Sequence, residues 1–188
     1  AIVNTMGVSV SAAFAVVNRI DDFAYTPEQN IAHAMTALMA QNKGAGKIDR
    51  MKEGFRSGII LEIIYGILIF IICFVFAIPL MLMFVKDEEV IGHGVTYLHL
   101  ISVMYLLPAL TNGIQGFFRG IGDLKITLIS SFINMALRVL AAAPLVLIWK
   151  MGIEALPYSY LAGWIGMLVA ETPLLLKTYK TWGKKAGQ

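Results

Sequence analysis

The sequence is poor in charge. Asp, Glu, Lys and Arg make up 14% of its 188 residues, while 58% are hydrophobic. Ordinary soluble domains run at about 25% charged and about 45–50% apolar. A soluble chain of this size lacks the interior volume to hide such an excess, so the surplus apolar surface is expected to face lipid. Cysteine is almost absent. Cys73 stands alone in the run Ile69-Phe70-Ile71-Ile72-Cys73-Phe74, which excludes an intrachain disulfide and leaves it the role of a small buried hydrophobe. No stretch alternates polar and apolar residues with the period of two that a membrane barrel needs. The opening Ala1-Ile2-Val3-Asn4 lacks a positively charged region and does not read as a signal peptide. It is expected to continue from a preceding segment.

What is present is a series of long apolar runs. A helix needs about 20 apolar residues to cross about 30 Å of hydrocarbon. Such runs are predicted at 57–85, 95–118, 126–149 and 155–176. A less uniform stretch, 8–41, holds Asn18, Arg19, Asp21 and Asp22, and then Thr26-Pro27-Glu28-Gln29. That tetrapeptide has the spacing of a capping box with Pro at the first helical position. It predicts one long helix kinked at Pro27 or two stacked helices broken there. The fold class is thus an all-α integral membrane protein with about five spanning helices and a basic tail at 177–188.

The basic residues orient it. Lys43, Lys47, Arg50, Lys52 and Arg56 crowd the first connection, Lys86 stands with three acids in the second, Arg119 and Lys125 mark the third, and Lys150 is alone in the fourth. The tail carries Lys177, Lys180, Lys184 and Lys185. Lys and Arg accumulate on the cytoplasmic side, so the alternation predicts a cytoplasmic C-terminus for a multi-pass protein of the cell membrane.

Two turns at inner helix ends carry a resemblance. One is Gln41-Asn42-Lys43-Gly44-Ala45-Gly46, the other Arg119-Gly120-Ile121-Gly122-Asp123. They resemble the "Q-N-x-G-A-G" and "R-G-x-G-D" turns of MATE (multidrug and toxic compound extrusion) transporters. Asn134 and Arg138 on the next helix look like that family's Asn and Arg positions. The resemblance implies twelve helices in two six-helix lobes, with residues 1–188 supplying most of the second lobe. It implies a missing first lobe and preceding helix, with 1–7 as the end of the loop between. It also implies antiport: organic cations or drugs leave in exchange for Na⁺ or H⁺, with no cofactor. One departure stands out. Many members carry an acid on the helix before the second turn, and 97–118 has neither Asp nor Glu.

Polar residues at membrane depth are candidate site residues, because a charge there usually faces the protein interior or a cavity. Arg138 lies near the middle of 126–149, with Asn134 one turn earlier on the same face. Asn112 and Gln115 repeat the pattern on the preceding helix, where Pro108 should bend the chain. These four either line a water-filled cavity or hydrogen-bond between helices. Glu62 and Glu171 are ion-coupling candidates, or else sit at the interface. Asp21 and Asp22 are solvated carboxylates near the outer edge or a cation-attracting vestibule. His33, near mid-membrane, is a proton-relay candidate. Trp149, Trp164 and Trp182, with Tyr158 and Tyr160, fit interface belts.

Other classes are weighed against this one. A lipid-linked sugar flippase would want a cavity richer in Arg and Lys than one central arginine. A plain structural membrane protein need not keep polar patches at mid-membrane depth. No metal-spaced cluster is present, which speaks against an enzyme, and the absence of a Walker-type phosphate loop speaks against ATP-driven transport. Lipid and small organic solutes are the expected partners, not nucleic acid.

Overall fold

The computed structural model describes residue 3 and residues 6–185, with the backbone alone at 182–185. Seven helices follow one another: α1 (Val8–Gly44), α2 (Ile48–Val75), α3 (Ala77–Leu82), α4 (Glu88–Ser102), α5 (Leu106–Gly120), α6 (Leu124–Leu147) and α7 (Ala155–Lys185). No strand occurs among the described residues.

The central element is α1, which packs on α2, α4 and α5. Its 37 residues span about 55 Å. Its buried positions are Val10, Ala13, Val17, Ile20, Asp21, Ala24, Glu28, Ala32, Met35 and Met39. They recur every three or four residues, a stripe that turns one face of the helix into the bundle along its whole length. Pro27 lies inside this helix and does not break it. The expected capping box is not formed. Thr26 instead donates from Oγ1 to the Asp22 carbonyl at 2.6 Å, and Glu28 turns inward.

Prolines set the other boundaries. The predicted helix at 57–85 starts earlier, at Ile48, and stops at Val75. Pro79 explains the stop, because its ring clashes with the carbonyl four residues back and it has no N–H to donate there. The chain resumes as the short α3. The predicted span at 95–118 is likewise two helices, α4 and α5, bent by 51°, and Pro108 stands in the first turn of α5. Asp87 caps α4, its Oδ1 accepting from the N–H groups of Glu89 and Val90 at 3.0 and 3.1 Å. α7 continues beyond 176 through the residues expected to form a tail.

By length and apolarity α2, α6 and α7 can each cross a membrane, and the bent α4–α5 pair is a fourth crossing if it is one span. α1 is long enough, but Arg19, Asp21, Asp22 and Glu28 interrupt its apolar sequence. Its place in a five-crossing arrangement rests on length. Outward faces are apolar, as lipid requires: Ile64 and Leu68 on α2, and Leu128, Phe132 and Met135 on α6, are all exposed. Cys73 is buried and free.

Close approach of backbones holds α5 to α1. A Cβ on Gly116 would lie 2.6 Å from the Ala32 carbonyl oxygen, and one on Gly120 would lie 2.6 Å from that of Thr36. Small residues permit this contact, the usual device for joining helices in lipid. Thr36 adds a hydrogen bond across it, from Oγ1 to the Gly116 carbonyl at 3.1 Å.

A polar cavity backed by buried carboxyls

The bend between α4 and α5 tilts α5 against the α6–α7 hairpin. Between them opens a cavity of about 610 Å³, with Tyr25 of α1 at its back. Asn112 and Gln115 of α5 and Asn134 and Arg138 of α6 all line it, beside Thr111, Trp164 and Met167. Spacings of three and four residues place each pair on one helix face, and the two faces oppose each other. Interhelical bonds coexist with the cavity. Gln115 donates from Nε2 to the Ser131 hydroxyl at 3.2 Å, and Asn134 donates from Nδ2 to the Met167 sulfur at 3.6 Å. Arg138 lays its guanidinium over the Tyr160 ring, 3.7 Å from the centroid, a cation–π arrangement. Gly163 lets α7 approach this point, since a Cβ there would meet Arg138 Cγ at 2.6 Å.

Behind the α5 wall lie carboxyls. Glu28 on α1 and Glu62 on α2 are fully buried and close enough to interact electrostatically. Asn112 donates from Nδ2 to Glu28 Oε2 at 3.4 Å. Glu28 Oε1 and both oxygens of Glu62 have no hydrogen-bond partner among the described residues. Such groups are costly unless something satisfies them. The pair sits between two apolar clusters. Ala24, Cys73 and Tyr105 belong to one, and Met39, Met51 and Ile114 to the other. Asn112 thus touches both the cavity and the carboxyl pair.

The remaining candidates scatter. Asp21 is buried, not solvated, and accepts a hydrogen bond from the Tyr105 hydroxyl. Asp22 next to it is exposed, because consecutive helical positions point about 100° apart. Glu171 is fully buried instead of facing headgroups, near Gln115, Ser130 and the Arg119 guanidinium. His33 is exposed on the face of α1 turned away from the carboxyls. Trp164, expected in an interface belt, instead lines the cavity, and Tyr160, expected there too, packs edge-on against Trp164 beneath the Arg138 guanidinium. Trp149 and Tyr158 are exposed, whereas the side chains of Trp182, Lys184 and Lys185 and the segment 186–188 lie outside the described residues. So do residues 1, 2, 4 and 5 of the expected preceding loop.

Glu28 is the residue missed by the sequence reading, where it served as a capping-box member. The signal was present. Asp21, Ala24, Glu28, Ala32, Met35 and Met39 form one continuous stripe of the helix, and a carboxyl within that stripe must point inward.

Both motif turns are helix C-caps of one kind. After α1, Gly46 donates to the Lys43 carbonyl and Lys47 to that of Asn42, at 3.1 and 2.9 Å. After α5, Gly122 donates to Arg119 and Asp123 to Phe118, at 3.0 and 2.9 Å. Gly46 and Gly122 have φ of 68° and 82°, the left-handed conformation at which glycine ends helices in a Schellman cap. Lys43 Nζ joins the two turns by donating to the Ile121 carbonyl. Gln41 and Ala45 supply the 3.1 Å hydrogen bond that closes the last turn of α1. A Cβ on Gly44 would meet nothing within 4 Å, so packing within the chain does not require glycine there.

Broken and continuous apolar helices around a polar cavity define an all-α membrane lobe. The chain belongs to the MatE family, whose model matches residues 1–143. It is 30% identical to "Probable multidrug resistance protein YoeA" of Bacillus subtilis (strain 168), across 97% of this chain and 39% of that protein. It is 24% identical to "Probable multidrug resistance protein NorM" of Thermotoga maritima, across 96% and 39%. The chain therefore spans about two fifths of the length of these curated relatives. Its fold is that of the MATE crystal structure in the bent conformation, with a TM-score of 0.91 at 15% identity, covering 96% of this chain and 40% of that one.

Proposed function

We propose that this chain forms most of one lobe of a MATE-type secondary transporter of the cell membrane, not an enzyme. The other lobe and one further helix would complete it. In this reading the cavity between α5 and the α6–α7 hairpin is half of the cargo path, and the Glu28–Glu62 pair binds the coupling Na⁺ or H⁺. The carrying observation is the position of Asn112, which lines the cavity and also donates to Glu28. A change in the occupancy of the carboxyls is thereby felt one hydrogen bond away from cargo. The absence of an acid on 97–118 is answered in space, because α1 supplies the carboxyl that faces α5. The basic turns after α1 and α5 and the lysines of α7 support a cytoplasmic C-terminus. The family resemblance points to organic cations or other drugs as cargo, and alternating access of two lobes around a central site is the corresponding movement.

The test uses the whole transporter containing this chain, reconstituted in vesicles with an imposed Na⁺ or proton gradient. Gradient-driven export of a panel of amphipathic dyes is expected. Glu28→Gln together with Glu62→Gln should abolish export while dye binding persists. Export by the double variant at the unaltered rate would remove the pair from the coupling role.

A further inference from the structure

The polarity of the cavity wall is one-sided. Among the described residues, Arg138 is the only charged side chain lining it, and no carboxylate lines it. Three buried carboxyls lie near the wall without lining it, and of these Glu171 stands near Gln115, Ser130 and the Arg119 guanidinium. Glu28 is held by Asn112 from behind, and Asp21 accepts from Tyr105. The ion pairs among the described residues are Lys52–Asp49 and His93–Glu89, so Arg138 has no carboxylate partner. An intramembrane charge ordinarily pairs with an opposite one or faces a water-filled path. Arg138 has instead a ring beneath it and open cavity beside it. The Tyr160 face that could attract a cationic ligand is already covered by the guanidinium. A cation entering here would meet like charge at short range in a weakly screened setting. A carboxylate, sulfonate or phosphate would complete the arginine through its planar donor fork. Trp164, Tyr25 and Met167 would hold an apolar body beside it.

We infer that this lobe selects amphipathic anions, bound through the unpaired Arg138 guanidinium beside an aromatic and methionine wall. The inference rests on the transporter reading and narrows its cargo, replacing the organic cations implied by the family resemblance. The anionic group can belong to a soluble drug or to a lipid, and the assay separates the two.

The same reconstituted vesicles are loaded in parallel with fluorescein, an anion, and ethidium, a cation. A third set carries fluorescently labelled phosphatidylglycerol in the inner leaflet. Gradient-driven movement of fluorescein or of the labelled lipid is expected, whichever moves naming the source of the anion. Arg138→Ala should slow that movement roughly tenfold or more, the scale of a lost charge-assisted contact, and should raise ethidium movement by removing the like charge. Arg138→Lys keeps the charge without the fork and should cost a few-fold, which guards against an alanine variant that fails to fold. Vesicles that move ethidium alone would overturn the anionic inference and leave the transporter standing. Movement of anions at equal rates with Ala, Lys or Arg at 138 would overturn it too. Vesicles that move none of the three probes would remove the transporter reading, and the inference with it.

Discussion

Around Gly116 and Gly120, α5 lies against the backbone of α1 with no room for a methyl group. α6, in contrast, buries a single residue, Ser130. The first region resembles the inside of a protein, with small residues at the helix contact and polar groups that must find partners or ligands within. The second is a hairpin held mainly to α7, with an apolar outer face and a polar stripe toward the cavity. Tight junctions fix positions, which suits the carboxyl pair between α1 and α2. A lightly buried hairpin has few packing contacts to lose on moving, which would suit the wall of a cargo path. On the proposed reading, the two regions would divide the work between holding an ion and admitting a solute.

Substitutions can break or sharpen that division. The largest effect is expected at Gly116→Leu, where the new side chain would strike the Ala32 carbonyl oxygen. Backbone cannot swing aside like a side-chain tip, so the cost should exceed the about 3 kcal/mol of ordinary overpacking. Size-exclusion chromatography in detergent should show loss of the folded peak. A normal elution profile would mean that the α1–α5 contact is looser than described. Next is Phe117→Ala. Phe117 is 0% exposed, and its removal should cost about 3–5 kcal/mol, read as a large fall in thermal midpoint in detergent.

Glu62→Leu should act in the opposite direction. It removes two buried carboxyl oxygens that lack partners, and stability should rise by about 1 kcal/mol or more while coupled export disappears. A destabilised variant would show that Glu62 is satisfied by contacts that the isolated lobe does not contain. The smallest effect belongs to Phe132→Ala. Phe132 is 74% exposed on the outer face of α6, and a change within about 0.5 kcal/mol is expected. A loss as large as that of Phe117→Ala would show that this face is packed against protein and not against lipid. The contrast between the two phenylalanines is the direct measure of the difference between the regions.

Much of this was legible in the residues. The turns at Gly46 and Gly122 were readable because a left-handed cap needs glycine whatever surrounds it. Asn112, Gln115, Asn134 and Arg138 were readable as inward-facing because lipid has no partner to offer them. Glu28 was not, because Thr26-Pro27-Glu28-Gln29 satisfies a local rule for starting a helix that the packing of α1 overrides. The break at Phe76 was missed for a related reason. The run 57–85 is apolar apart from Glu62 and a few small or hydroxylated residues, and composition alone hides the effect of Pro79 on the carbonyl of Val75. Trp164 and Tyr160 matched an interface belt by type, and only the fold of α7 onto α6 put Trp164 at the cavity and Tyr160 beneath Arg138.

The sequence by itself determined that these helices are apolar outside, that glycine caps end α1 and α5, and which faces are polar. Those properties depend on side-chain chemistry and on contacts within a few residues. Tertiary structure alone decided that Glu28 and Glu62 meet, that Asn112 joins them to the cavity, and that Arg138 finds a ring in place of a carboxylate. These pairings bring together residues far apart in the chain, and their geometry depends on how closely backbones can approach at a few glycines and on a bend of 51° between α4 and α5.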